Sequence, residues 1–421
     1  MFSRNPRHKS GGSASRSQFS GPRPQGGGGR RFSNGGGYRG GGGGGRRGGG
    51  PRGERIDPSK FINKVTVTEE TEHFVPEHQF ADFKIEDRLK QAIITKGYVT
   101  PTPIQDRVIP HILQGEDVVG IANTGTGKTG AFLIPLIHKV LTEKDQRVIV
   151  VVPTRELAIQ INEELRGFTR GLGLFSVCCV GGAGIGPQMR DLRYPNHFII
   201  GTPGRLKDLI NRKMIRLNEF RTIVLDEADR MLDMGFIEDM RYVMAGMPKE
   251  RHTLFFSATL SPVIERLVSE FLNKPVRVSV KTRDTSRDVE QDVVRIERGA
   301  DKLGTLCDLL SQEDFNKVLV FGRTKHGVEK LSKMLADKGI RAESIHGDKN
   351  HAKRQRALGA FKKNQLQVLV ATDVAARGLD IPDVSHVINF DLPMTYDDYV
   401  HRIGRTGRGG KKGKALTFIE R

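Results

Sequence analysis

A glycine-rich turn at residues 122–129 is the part of the sequence best suited to phosphate chemistry. It reads Ala-Asn-Thr-Gly-Thr-Gly-Lys-Thr and lies between a strand-like run at 117–122 and an apolar stretch of helical length at 130–141. Backbone N–H groups of such a turn point at an anion, and the helix N-terminus adds partial positive charge. Lys128 would reach the β- and γ-phosphates of a nucleotide, and the Thr129 hydroxyl would bind Mg²⁺.

An acidic tetrad, Asp226-Glu227-Ala228-Asp229, follows the apolar run at 221–225. Carboxylates at the carboxyl end of a parallel strand face the ligand crevice. Asp226 suits Mg²⁺ binding through water, and Glu227 suits the general base that deprotonates the attacking water. Alone, the tetrad is equally well explained as an acidic helix N-cap. Beside the phosphate loop it predicts a Mg²⁺-dependent nucleotide hydrolase.

Short apolar runs alternate with stretches of helical length from residue 80 onward. We predict strands at residues 117–122, 147–152, 176–180, 198–201, 222–225 and 253–256, and after a charged pause at 280–292 further strands at 317–321, 342–345, 367–370, 386–390 and 415–419. Helices are predicted between several of them, for example at 155–170. Apolar strands joined by helices indicate parallel sheets covered on both faces. The sequence therefore predicts two α/β domains joined by a linker.

Charge is concentrated at the N-terminus. Residues 1–55 hold 20 of the 50 glycines and carry +11 of the formal net charge of +19. A segment this poor in apolar residues cannot offset the entropy cost of folding, so we predict a disordered tail. Arginine, glycine and scattered aromatics suit sequence-tolerant RNA contact, and a solubilising tail is the alternative.

Composition also excludes several classes of protein. Three cysteines without a CxxC pair argue against a disulfide framework and against zinc. No apolar run approaches the roughly 18 residues that a membrane span needs. We expect a monomer in a reducing, cytoplasmic setting, with a nuclear location as the eukaryotic alternative.

Further motifs accompany the tetrad, and the ordered set resembles the DEAD-box RNA helicases. They are Pro-Thr-Arg-Glu-Leu-Ala at 153–158, Gly-Gly at 181–182, Thr-Pro-Gly-Arg at 202–205, Ser-Ala-Thr at 257–259, Ala-Thr-Asp-Val-Ala-Ala-Arg-Gly-Leu-Asp at 371–380 and His-Arg-Ile-Gly-Arg-Thr-Gly-Arg at 401–408. The resemblance implies two RecA-like domains in tandem. We place them at 80–279 and 293–421, with linkers at 61–79 and 280–292 and a disordered tail at 1–60. Related domains usually continue beyond the strand at 415–419, so we expect the second to lack a last helix.

The resemblance also implies a site for ATP. Residues 97–105 resemble the family's Q motif, and Phe80 lies 17 positions before Gly97. The Gln105 amide can pair with adenine N7 and its N6 amine, which would select ATP, and Phe80 could stack on the ring. Taken alone, both are more often core or turn residues. The implied ATP contacts are Phe80, Gln105, Ala122, Asn123, Thr124, Gly125, Thr126, Gly127, Lys128, Thr129 and Asp380.

Two further sets would connect ATP to motion. Ser257 and Thr259 are two apart, so on a strand they face one side and can hydrogen-bond Asp229. His401, Arg405 and Arg408 share one face if their segment is helical. The resemblance implies that the two arginines reach the γ-phosphate across a cleft; a basic face contacting RNA or solvent is the alternative.

The resemblance implies largely sequence-independent RNA binding, to single strands and short duplexes, through small hydroxyls, glycines and arginines. The candidates are Thr154, Arg155, Gly182, Thr202, Arg205, Arg323, Thr324, Gly347 and Thr372. The function it implies is an RNA-dependent ATPase that unwinds short duplexes or remodels RNA–protein complexes. An ATP-gated RNA clamp or annealer, an RNA-binding protein with an inactive nucleotide site, and a DNA helicase are the alternatives.

Overall fold

The computed structural model describes residues 61–62, 74–123, 125–280, 289–297, 299–376, 379, 381–407 and 413–420, without the side chain of Asp397. The predicted tail at 1–60 and most of the predicted linker at 61–79 lie outside these residues. Three candidate site residues also lie outside them: Thr124, Asp380 and Arg408.

The first lobe contains seven strands and nine α-helices among the described residues. Its strands are β1 Val118–Ile121, β2 Val148–Val151, β3 Ser176–Cys179, β4 Phe198–Gly201, β5 Thr222–Leu225, β6 His252–Ser257 and β7 Val276–Ser279. Its helices are α1 Asp87–Thr95, α2 Pro103–Leu113, α3 Lys128–Thr142, α4 Arg155–Phe168, α5 Ile185–Asp191, α6 Pro203–Asn211, α7 Ala228–Asp233, α8 Ile237–Gly246 and α9 Pro262–Phe271.

One parallel sheet organises this lobe, in the order β3-β4-β2-β5-β6-β1-β7. Apolar cores cover both of its faces, because alternate residues of one strand point to opposite sides. In β2, Val148 and Val150 join one core, whereas Ile149 and Val151 join the other. The predicted parallel sheet covered on both faces is thereby confirmed.

The second lobe repeats the design with six strands and five helices in the described part of the chain. Its strands are β8 Val289–Ile296, β9 Val318–Phe321, β10 Ala342–Ile345, β11 Val368–Ala371, β12 His386–Asn389 and β13 Gly413–Glu420. Its helices are α10 Lys302–Leu310, α11 Lys325–Asp337, α12 His351–Lys362, α13 Asp373–Ala376 and α14 Tyr396–Ile403. The sheet is parallel, in the order β10-β11-β9-β12-β13-β8.

Two edge strands differ from the sequence prediction. β7 and β8 were not predicted, and β8 begins at Val289, inside the segment 280–292 assigned to a linker. Both lie at the ends of their sheets, where only one face is buried, so their residues alternate between apolar and polar. A search for continuous apolar runs misses such strands. The second lobe therefore begins earlier than the predicted residue 293.

Candidate nucleotide and RNA site

The phosphate loop connects β1 to α3. Gly125 and Gly127 have φ values of 85° and 95°, and Gly127 is the N-cap of α3. These left-handed conformations favour glycine and let the loop wrap back over the helix start. The Lys128 side chain is buried, and its Nζ donates to Ala122 O at 2.8 Å. The Thr126 hydroxyl donates to Asn123 O at 2.8 Å. The loop thus forms a closed turn at the N-terminus of a 15-residue helix.

The acidic tetrad begins where β5 ends. Asp226 is 2% exposed, and its Oδ1 accepts from Glu227 N at 2.9 Å. Burial raises the pKa of Asp226 to about 6, while the nearby Lys128 ammonium acts to lower it. The Lys128 ammonium, which would face phosphate, and the Asp226 carboxylate, which would face the metal, therefore interact electrostatically.

Glu227 is held in an unusual backbone conformation. Its φ is 54°, in the left-handed region that a non-glycine residue rarely adopts, and it serves as N-cap of α7. Its carboxylate forms a buried ion pair with Arg230, at 2.5 Å from Nη1. Arg230 directly follows the tetrad but was not among the sequence candidates. The charge at i+3 from Glu227 is the signal that could have found it.

Asp229 joins the tetrad to the Ser-Ala-Thr segment after β6. Its Oδ2 accepts from Ala258 N and Thr259 N, both at 3.0 Å, and from Thr259 Oγ1 at 3.2 Å. Ser257 does not contribute as predicted, because its hydroxyl donates to Thr259 O at 2.8 Å instead. The strand ends at Ser257, so the two hydroxyls do not share a strand face.

The Q motif packs directly on the phosphate loop. Gln105 Oε1 accepts from Thr102 N and its Nε2 donates to Gly127 O, both at 3.0 Å. A Cβ at Gly127 would lie 2.7 Å from Gln105 Nε2, so this contact requires glycine. Gln105 is itself 1% exposed, and its pairing with an adenine base stays a prediction.

A cavity of about 420 Å³ lies beside these elements. Its described lining is Tyr98, Gly125, Gly127, Lys128, Thr129, Gly130, Leu157, Gln160, Ile161, Glu163, Glu164, Asp226, Glu227 and Lys362. Phe80 is absent from this set. It is 5% exposed and packs edge-on behind Tyr98, with ring centroids 5.8 Å apart. Tyr98 is therefore the aromatic side chain in the described lining of the cavity, and the stacking role of Phe80 stays a prediction.

The first-lobe RNA candidates follow three neighbouring strands. Thr154 follows β2, Gly182 follows β3, and Thr202 and Arg205 follow β4. The nucleotide residues follow β1, β5 and β6 at the other end of the same edge. Because the carboxyl ends of parallel strands meet at one edge of the sheet, the nucleotide residues and the RNA candidates lie along the same edge.

Two arginines in this group are closely packed. A Cβ at Gly182, where φ is +71°, would lie 1.9 Å from Arg155 Nη1, so the guanidinium rests on the glycine. Arg205 Nη2 donates to Ala183 O at 3.1 Å. Its Nη1 is buried and has no hydrogen-bond partner in the described part of the chain. Thr154 also caps α4, because its Oγ1 accepts from Leu157 N at 3.3 Å.

The second-lobe RNA candidates have the same placement. Arg323 and Thr324 follow β9, Gly347 follows β10 and Thr372 follows β11, and these three strands are neighbours in the sheet. Arg323, Thr324 and Gly347 are exposed. Each lobe thus presents its RNA candidates at one end of a carboxyl edge.

The arginine segment after α14 departs from the prediction. The helix ends at Ile403 with Gly404 as its C-cap, so Arg405 lies beyond it and does not share a helix face with His401. Arg405 is 3% exposed, and its Nη1 donates to Leu379 O at 2.6 Å. Arg402, which was not predicted, anchors the helix through two bonds to Asp373 at 2.6 and 2.8 Å.

Helix α12 brings the lobes into contact. Arg354 Nη2 lies 2.9 Å from Glu156 Oε1 of α4, and both side chains are largely buried. Lys362, at the end of α12, lines the cavity beside the phosphate loop. Glu156 belongs to the 153–158 motif, whereas nothing in the residue pattern marked Arg354 or Lys362 as interface residues.

Comparison with known proteins matches each lobe to a helicase family model. Residues 102–267 match the DEAD/DEAH box helicase family, and residues 301–410 match the helicase conserved C-terminal domain. The chain is also 30% identical to Mss116p, solved with single-stranded RNA and AMP-PNP; the match covers 82% of this chain and 75% of that one, with a TM-score of 0.73. The chain belongs to the DEAD/DEAH box helicase family.

Two further proteins are similar over about four fifths of this chain. The DEAD-box ATP-dependent RNA helicase CshA of Bacillus cereus (strain ATCC 10987 / NRS 248) is 46% identical over 342 residues, or 81% of this chain. This chain spans 65% of that relative. Dbp5 of S. cerevisiae, solved with RNA and ADP BeF3, is 29% identical, with a TM-score of 0.73 and coverage of 81% of this chain and 89% of that one.

The described residues contain neither a membrane-spanning helix nor a metal-binding cluster of side chains. No helix in the described ranges is both long and apolar enough to cross a membrane. Among those same residues, no three His, Cys, Asp or Glu side chains form a metal-binding group. A Mg²⁺ bound chiefly by phosphate, water and one or two protein oxygens does not require such a group.

Proposed function

We propose that this chain is an ATP-dependent RNA helicase, which hydrolyses ATP on binding RNA and separates short duplexes or remodels RNA–protein complexes. The observation that carries the proposal is the shared carboxyl edge of the first sheet. Nucleotide residues follow β1, β5 and β6, and RNA candidates follow β2, β3 and β4. A structural change at the nucleotide end of this edge can therefore affect the RNA candidates at its other end, because both sets follow strands of the same sheet. Three relatives support ATP and RNA as substrates. CshA is a DEAD-box ATP-dependent RNA helicase, Dbp5 was solved with RNA and ADP BeF3, and Mss116p was solved with single-stranded RNA and AMP-PNP.

ATP binding falls to the first lobe. Main-chain N–H groups of the loop and the Lys128 ammonium would bind the phosphates. Gln105, which donates to Gly127 O of the loop, would select adenine, and Tyr98 lines the adjacent cavity. Thr129 and Asp226 offer the hydroxyl and carboxylate oxygens that Mg²⁺ prefers. When bound, Mg²⁺ neutralises charge on the β- and γ-phosphates.

Hydrolysis requires a base and a positive charge at the transferred phosphoryl group. Glu227 would take the proton of the attacking water, and its ion pair with Arg230 fixes the orientation of the carboxylate. Arg405 and Arg408 of the second lobe would stabilise the γ-phosphoryl group. The hydrogen bond from Arg405 Nη1 to Leu379 O fixes the guanidinium within the second lobe.

RNA would bind across both lobes. Contacts from the candidates after β2, β3 and β4 and from those after β9, β10 and β11 form a backbone-directed groove when the lobes close. Closure with ATP completes the RNA groove and the catalytic site together, and it distorts one strand so that a short duplex separates. Hydrolysis then reopens the lobes. We further propose that the chain acts as a monomer.

The test compares ATP hydrolysis with RNA, with DNA of the same sequence and without nucleic acid. We expect stimulation by RNA only, together with displacement of a short RNA duplex. Equal stimulation by DNA would favour a DNA helicase. RNA stimulation without displacement would favour an ATP-gated clamp or annealer, and binding without hydrolysis would favour an inactive nucleotide site. Light scattering during size-exclusion chromatography measures the molar mass and so tests whether the chain is a monomer.

A further inference from the structure

Phe61 precedes the first lobe in the chain but packs in the second. Its side chain is 1% exposed and belongs to a core formed by residues of the second lobe. The first lobe is described from residue 74 and the second begins at Val289. The sequence pattern assigned this position to a linker, because one aromatic residue in a polar segment gives no periodic signal.

The ring of Phe61 lies against helix α14. Its centroid is 4.7 Å from that of Tyr399, a fully buried residue of this helix. The Tyr399 hydroxyl donates to Gln291 Oε1 of β8 at 2.8 Å. Ile403, the last residue of α14, belongs to the same core. Phe61 thus completes the packing around the helix from a segment outside both sheets.

The same core adjoins the arginine segment. Helix α14 carries His401 and ends immediately before Gly404 and Arg405. Leu379, whose carbonyl accepts from Arg405 Nη1, is another member of the core that contains Phe61. The position of Arg405 is therefore set on both sides by residues packed with Phe61.

We propose that Phe61 is a positioning residue for ATP hydrolysis, acting through Tyr399 and α14 on the arginine segment. This inference rests on the function proposed above. ATP is bound by the first lobe, so loss of Phe61 should leave ATP affinity intact. Displacement of a catalytic group by about 1 Å can cost on the order of 10²-fold in rate. The effect should therefore fall on kcat rather than on KM.

The kinetic test uses Phe61→Ala in the full chain, with Ile62→Ala as the matched control. Ile62 is adjacent and 43% exposed, so its truncation removes a similar volume without disturbing the core. We expect Phe61→Ala to lower RNA-stimulated kcat about tenfold or more with KM for ATP unchanged. Phe61→Leu should restore most of the rate, because it refills the pocket. A kcat equal to that of Ile62→Ala would overturn the proposal, as would a loss of ATP affinity accompanying global unfolding.

Truncation offers a second test that does not depend on a core substitution. Deleting residues 1–55 keeps Phe61, whereas deleting residues 1–62 removes it. We expect only the longer deletion to lower kcat, and we expect KM for ATP to stay unchanged in both truncated chains. Equal kcat values for the two truncated chains would refute the positioning role.

Fluorescence tests the docking independently of activity. The chain contains no tryptophan, so Phe61→Trp and Ile62→Trp each introduce a single probe. We expect blue-shifted emission and protection from acrylamide at position 61, and an accessible probe at position 62. Equal quenching would overturn the docking. If the wild-type chain lacks RNA-stimulated ATPase activity, the proposed function fails, while this measurement still decides whether Phe61 is docked.

Discussion

Asp229 shows how a single carboxylate can connect two motifs. Its Oδ1 accepts from Arg230 N at 3.0 Å, and its Oδ2 accepts from Ala258 N, Thr259 N and Thr259 Oγ1. Every neighbour within this set is a donor, so both oxygens must be acceptors. The link between the tetrad after β5 and the segment at the end of β6 therefore depends on two accepting oxygens in one side chain.

Asp229→Asn should break this link. An amide offers one oxygen, so one side of the residue would place N–H against N–H and leave buried donors unsatisfied, at about 1–3 kcal/mol. We expect ATP binding to persist while RNA stimulation of hydrolysis and duplex displacement fall together. Nucleotide affinity and RNA-stimulated turnover are measured side by side, with Thr259→Ser, which keeps the hydroxyl, as the control. Full RNA stimulation in Asp229→Asn would exclude the coupling role.

Gly182 makes a different kind of contact, in which the absence of a side chain leaves space for Arg155. Gly182→Ala would place a Cβ 1.9 Å from Arg155 Nη1 and strain a backbone with φ of +71°. We expect weaker RNA binding and a salt dependence shallower by about 0.7 in log–log slope, the value of one lost phosphate contact. Gly184→Ala is the control, because its Cβ would lie 3.6 Å from Pro187 Cδ. RNA affinities of the two variants that match at every salt concentration would contradict the assignment of Arg155.

At the scale of elements, strands with continuous apolar runs were the easiest to predict. Central strands such as β2 and β5 are buried on both faces, so their apolar runs were recognised within about a residue at each end. Edge strands β7 and β8 alternate and were missed. Helix α14 ends at Ile403, so Arg405 lies off the predicted helix face, which the spacing of the side chains alone could not show.

Strand β6 also carries a pH-sensitive group. His252 is 6% exposed, its Nε2 bonds to Glu116 O at 2.7 Å, and its Nδ1 has no partner in the described chain. Burial lowers the pKa of His252 to about 4. Protonation therefore favours the unfolded state, where the pKa is about 6.5.

Stability should consequently fall as the pH drops from about 6.5 through 4. The loss attributable to His252 is on the order of 3 kcal/mol. His252→Gln, which retains a donor for Glu116 O, should flatten this part of the curve, whereas the exposed His326→Gln should not. Urea unfolding at a series of pH values measures the slopes. A His252→Gln curve parallel to that of the wild type would rule out this contribution.

For the whole molecule, the sequence predicted the family from several motifs in a fixed order. It predicted the fold class from two successive series of alternating strands and helices. The contact between lobes was not, since Glu156 and Arg354 are far apart in sequence and have no shared pattern. The docking of Phe61 was missed for the same reason. Tertiary contacts between distant segments leave little trace in local residue spacing.

The Arg/Gly-rich segment at residues 1–55 lies outside the described structure, and its RNA-binding role stays a prediction. Deleting it removes +11 of the formal net charge of +19. We expect weaker RNA binding and a shallower dependence of log affinity on log salt, with the ATPase machinery intact. Binding is measured across a salt series for the full and shortened chains. An unchanged slope would contradict RNA binding by the tail and favour a solubilising role.

The central claim is that ATP hydrolysis at Glu227 drives RNA remodelling. Displacement of a short RNA duplex, followed together with ATP turnover in the wild type and in Glu227→Gln, tests it most directly. We expect the wild type to couple RNA-stimulated turnover to repeated displacement. Glu227→Gln should bind ATP and RNA but lose about 10²–10⁴-fold in turnover, the usual contribution of a general base. Wild-type turnover in Glu227→Gln, or no displacement by an actively hydrolysing wild type, would contradict the account.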